Sequence, residues 1–115
     1  MQSLVGALVG LPNGVLAMSH AVEGLVETSS NLASVKFGAE GIVVTTSQRS
    51  SVESAKRYAA QTVEAVLRLS GAEVAHSDGY PGWSPDPDSY LLHVTEQCYE
   101  RLFAVKPKVR AIHAG

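Results

Sequence analysis

The chain has 115 residues, enough for one domain with a modest core, and 45% of them are apolar. Nine Lys+Arg against eleven Asp+Glu give a net charge of -2, which argues against a nucleic-acid partner. A single cysteine, Cys98, excludes an intramolecular disulfide and points to the cytoplasm.

The opening "MQSLVGALVGLP" is apolar. It lacks the basic start and cleavage site of a signal peptide and is too short to cross a membrane. It predicts a short helix ending at Leu11, because the residue before Pro12 is pushed out of helical geometry. After the turn signal "PNG", residues "VLAMS" predict a strand. The run 24–37 predicts a second strand, with Ala33, Val35 and Phe37 on one face and Ser34 and Lys36 on the other. "GAEG" (38–41) is a tight loop, and the β-branched "IVVTTSQR" (42–49) completes a hairpin.

Ser50 and Glu53 have capping-box spacing, and Val52, Ala55, Ala59, Val63, Val66 and Leu67 follow at helical spacing. Glu53–Arg57 and Glu64–Arg68 are i,i+4 pairs on the wet side, and Gly71 provides the stop. "AEVAHS" (72–77) predicts a strand. "GYPGWSPDPDSY" (79–90) is a stiff loop. A second helix begins near Asp86 or Asp88, with Pro87 in its first turn. Its stripe is Leu91, Val94 or Thr95, Cys98 and Leu102, which makes Cys98 a small buried hydrophobe. "VRAIHAG" (109–115) predicts a final strand. The fold class is α+β, a ferredoxin-like antiparallel sheet with helices on one face and a C-terminal helix-strand segment.

Chemistry is sparse. His20, His76, His93 and His113 make no HxH or HExxH pair, so no metal site is built from this chain. No GxSxG, phosphate loop or dinucleotide fingerprint occurs. Arg49 ends a strand just before a helix, and its fork suits a carboxylate. Spacing alone favours a solvated strand-end arginine. Asn31 interrupts "VETSSNL", where a bulge or turn is the default reading.

"LPNGVLAMS", "GLVETSSNL", "GYPGWSPDPDS" and the closing "IHAG", in that order, resemble the aminoacyl-histidine dipeptidases. These are carnosinase-like, co-catalytic zinc metallopeptidases. The resemblance implies that the chain is part of a longer enzyme, ending inside a motif. It implies a lid portion at 1–78, a hinge loop at 79–90 and a segment returning to the catalytic domain at 91–115. It implies that Asn31, Arg49 and His113 bind substrate, the first two through its terminal carboxylate. The catalytic residues and the zinc, or other divalent metal, belong to the rest of the enzyme. The implied partners are a dipeptide of Xaa-His type, the remaining catalytic domain and a second copy in a homodimer, with no nucleic acid and no membrane. By itself the chain is expected to hydrolyse nothing. The alternative reading is a free-standing ferredoxin-like binding or regulatory module that dimerises.

Overall fold

The structure, a computed structural model, describes residues 1–113. Helix α1 (Gln2–Gly10) ends where Leu11 turns extended ahead of Pro12, with its N–H still bonded to the Ala7 carbonyl. Strands β1 (Gly14–Met18), β2 (Val26–Gly38) and β3 (Gly41–Ser50) follow. They form one antiparallel sheet in the order β1-β2-β3. β1 covers only the first half of β2. Past it, the Asn13 carboxamide oxygen accepts the Leu32 N–H at 2.9 Å and closes part of the open edge. The hairpin turn is tight: Gly38 pairs with Gly41.

The sheet has one helix-facing side. Leu32 of β2 and Val44 of β3 pack there against Leu8, Leu11, Val63, Val66 and Leu67. Helix α2 (Glu53–Leu69) contributes Ala59, Val63 and Leu67 as buried residues, spaced four apart as a core stripe must be. Toward the start of β2 this face turns polar. Thr28 and Ser50 share a 2.8 Å hydrogen bond while buried, and Gln48 donates to both Ser30 and Thr46. The α+β class, the antiparallel sheet and the placement of α1 and α2 on one side of it agree with the sequence.

Several local expectations do not hold. Residues 72–77 form no strand and join no sheet. They are held by side chains instead: Val74 packs on the core and His76 reaches Glu64 at 2.9 Å. Among the described residues 109–113 there is no strand either, and the last two residues of that expected strand lie outside the described range. The strand irregularity falls between Leu32 and Ser34, not at Asn31, which pairs regularly with Ser47. Phe37 lies at the hairpin end and is largely exposed.

Ser50 does not form a capping box. It sits two residues before the N-cap, Val52, and accepts the Val52 N–H, while Glu53 pairs with Lys56 rather than Arg57. Helix α3 (Tyr90–Phe103) starts after Asp86 or Asp88. The Asp86 carboxylate takes the Asp88 N–H in a turn around Pro87, and Ser89 then caps the helix through Leu92 N–H. Helix α3 touches no other helix or strand, so Cys98 is exposed rather than buried.

Candidate functional site

The alternation of β2 and β3 places two groups of residues on opposite sides. Thr28, Ser30 and Ser50 are buried toward the helices. Ser29 and Asn31 of β2, with Ser47 and Arg49 of β3, therefore share the opposite, open face. Ser29 is the direct partner of Arg49, and Asn31 of Ser47. Asn31 and Arg49 thus lie on a diagonal, a separation of about 7–8 Å for such pairs and within the span of a long side chain. Both are exposed.

His113 comes to the same place from the far end of the chain. Its Nε2 lies 2.7 Å from the Ser29 hydroxyl, across 84 residues of sequence. The pair is half-buried, and Ser29 sits beside Arg49. The three residues singled out in the sequence are therefore gathered on one sheet face. Ser29, which no spacing in the sequence distinguishes from its serine neighbours, is the fourth member.

The proline loop closes the end of this site. Lys56 Nζ donates to the Tyr80 carbonyl at 2.8 Å, and the Ser84 hydroxyl reaches the Ser51 carbonyl. Gly82 lies so close to the turn between β3 and α2 that a Cβ there would collide with the Ser50 carbonyl oxygen. Arg49 is thus followed immediately by a backbone segment that the loop covers. Beside it is a cavity of about 850 Å³, walled by Val26, Trp83, Pro85, Leu91, Ile112 and His113 among others. That volume suits a small-molecule site. His113 stands where the apolar cavity meets the polar face.

The electrostatics elsewhere are structural. Hydrogen bonds from His76 and then Arg68 hold the Glu64 carboxyl below its ordinary value, on the far end of α2 from Arg49. No group of three or more His, Cys, Asp or Glu side chains converges among the described residues. The donor set does not fit a zinc ion, and no metal-assisted step is assigned to these residues. Among them, too, no helix is long and apolar enough to cross a membrane.

The sheet thus carries an arginine and an asparagine on one open face, a histidine from outside the sheet is bonded to that face, and a cavity lies beside them. Comparison with known proteins gives the chain a family context. No family model matches. The cytosol non-specific dipeptidase of Escherichia coli (strain K12) is 34% identical over 113 residues, 98% of this chain and 23% of that protein. The crystal structure of aminoacylhistidine dipeptidase from Vibrio alginolyticus matches with a TM-score of 0.86 and 37% identity, over 99% of this chain and 23% of that one. The resemblance read in the sequence therefore holds along practically the whole chain, in sequence and in fold. The chain is similar to one segment of these two dipeptidases and spans about a quarter of their length.

Proposed function

We propose that this chain is the lid portion and hinge of a dipeptidase that hydrolyses Xaa-His dipeptides. In this reading Arg49 clamps the terminal carboxylate of the substrate, and Asn31 and His113 supply neighbouring hydrogen bonds. The observation that carries it is the register of β2 and β3, which puts Arg49 and Asn31 on one open face, with His113 bonded to Ser29 beside them. The names of the two relatives support the reaction class. A zinc ion or other divalent metal, the catalytic residues and the remaining catalytic domain lie outside residues 1–113. Residues 1–78 form the lid, 79–90 the hinge, and 91–115 return to the catalytic domain. Homodimer contacts and a cytoplasmic location complete the reading.

The chemistry assigned to this chain is recognition. A carboxylate accepts hydrogen bonds at both oxygens, and a guanidinium presents two parallel donors to match. Closure of the lid over the bound dipeptide would exclude water and align the peptide bond for attack by groups elsewhere in the enzyme.

The test is Arg49→Ala in the full-length protein. Arg49 is exposed, so fold stability should stay within about 0.5 kcal/mol. A charged hydrogen-bond pair contributes about 1.5–3 kcal/mol, so KM for Xaa-His dipeptides should rise roughly 10- to 100-fold. An unchanged KM removes Arg49 from the site.

A further inference from the structure

We infer that Ser29 is a positioning residue of the substrate site: its hydroxyl fixes the ring and the tautomer of His113. This rests on the reading above that Arg49 clamps the substrate carboxylate and His113 supplies a neighbouring hydrogen bond, and it extends that bond to the carboxylate itself.

The argument begins with the bond between Ser29 Oγ and His113 Nε2, at 2.7 Å. It is the only hydrogen bond made by the His113 side chain among the described residues, and Nδ1 has no partner among them. It is also the one side-chain hydrogen bond tying residues 109–113 to the sheet among the described residues. Without it, no strand pairing would hold His113 in place, because 109–113 form none.

The bond has two possible polarities. A neutral imidazole carries one N–H, and the proton on one nitrogen is set by what the other nitrogen meets. A carboxylate is acceptor-only, so a histidine that binds it must present an N–H. With Nε2 engaged by Ser29, the nitrogen available to a ligand is Nδ1. Neutral His113 can donate from Nδ1 only if Nε2 is the acceptor, which requires the Ser29 hydroxyl to donate. A serine hydroxyl can do this because its proton rotates freely. Ser29 is also the cross-strand partner of Arg49, with Cβ atoms about 4.5–5.5 Å apart in such a pair. One strand position therefore places a second donor beside the guanidinium. A dipeptide carboxylate then meets the Arg49 fork and the His113 Nδ1–H together.

The experiment measures KM and kcat for an Xaa-His dipeptide in the full-length protein. The variants are Ser29→Ala, Ser29→Thr, His113→Ala, the Ser29→Ala/His113→Ala double variant, and Arg49→Ala. Ser29→Ala should raise KM roughly 3- to 10-fold with little change in kcat, the effect of one lost neutral hydrogen bond. Ser29→Thr keeps the hydroxyl and should restore KM to near the unmodified value. The double variant should match His113→Ala alone, because Ser29 acts only through the ring. A wild-type KM for Ser29→Ala, no rescue by threonine, or losses that multiply in the double variant would each overturn the inference. If Arg49→Ala raises KM while Ser29→Ala does not, this inference alone falls. If Arg49→Ala and His113→Ala both leave KM unchanged, the carboxylate site falls and Ser29 falls with it.

Discussion

Glu64 shows what single residues contribute outside the substrate site. It accepts Arg68 Nε at 2.7 Å and His76 Nε2 at 2.9 Å, and both bonds favour its charged form. Its carboxyl therefore titrates lower in the folded chain than in the unfolded one. A depressed carboxyl contributes stability that is complete above the unfolded value and disappears as pH falls through the folded value. Glu64→Gln should remove that part of the acid sensitivity. Denaturant unfolding across the acid range would show a flatter stability curve for the variant, and coincident curves would deny Glu64 the role. The Arg68 half of the cluster was legible in the sequence, because i,i+4 spacing forces the two side chains together. The His76 half was not, because it depends on where an unpaired segment runs. The same distinction governs the candidate site. Arg49 and Asn31 are nominated by the family resemblance, since spacing alone favours a solvated arginine and a bulge or turn. Their shared face needed the register, and the Ser29–His113 contact needed the fold.

Helix α2 is the element that holds the sheet. Among the described residues, its stripe Ala59, Val63, Leu67 is the only set of buried apolar residues besides those at the α1 end, Ala7 and Leu11. Leu67→Ala should cost about 2–5 kcal/mol, the range for a buried leucine. Leu69, two positions on, is 90% exposed, and Leu69→Ala should stay within about 0.5 kcal/mol. Equal losses in chemical denaturation would mean that α2 does not pack through this stripe. The contrast was readable in advance because a 3.6-residue period is local. The hairpin was readable for the same reason: alternation, β-branching and two glycines around a turn are all local signals. Residues 72–77 and 109–113 carry equally apolar, strand-like sequence, yet neither pairs. A strand exists only if a neighbour offers it a free edge, and no property of the segment itself reveals that. Helix α3 was expected too early because Pro87 fits a first helical turn. Asp86 uses its carboxylate to make a turn at that point, so the helix waits for Ser89.

At the scale of the molecule, shape decides how much of the chain stands alone. The radius of gyration is 19.3 Å, against about 13 Å for a compact domain of this length. The excess has a visible source: α3 makes no contact with any other element, and Leu91, Leu102 and Phe103 on it are exposed. Trp83, which lines the cavity, is 77% exposed although it stands in a loop with three prolines. A stiff loop pinned at Tyr80, Gly82 and Ser84 gives its tryptophan a fixed direction, and nothing within residues 1–113 covers it. Exposed apolar surface on this scale marks an interface. Under the proposed reading, the catalytic domain covers both Trp83 and α3 in the full-length enzyme. The difference spectrum between the unmodified protein and Trp83→Phe isolates the emission of this one indole. In residues 1–115 alone it should be that of a hydrated tryptophan, quenched readily by iodide. In the full-length protein it should shift to the blue and resist quenching. An indole equally hydrated in both would mean that the loop faces solvent in the whole enzyme. Residues 79–90 would then be a surface connector, and the hinge role assigned to them would be lost.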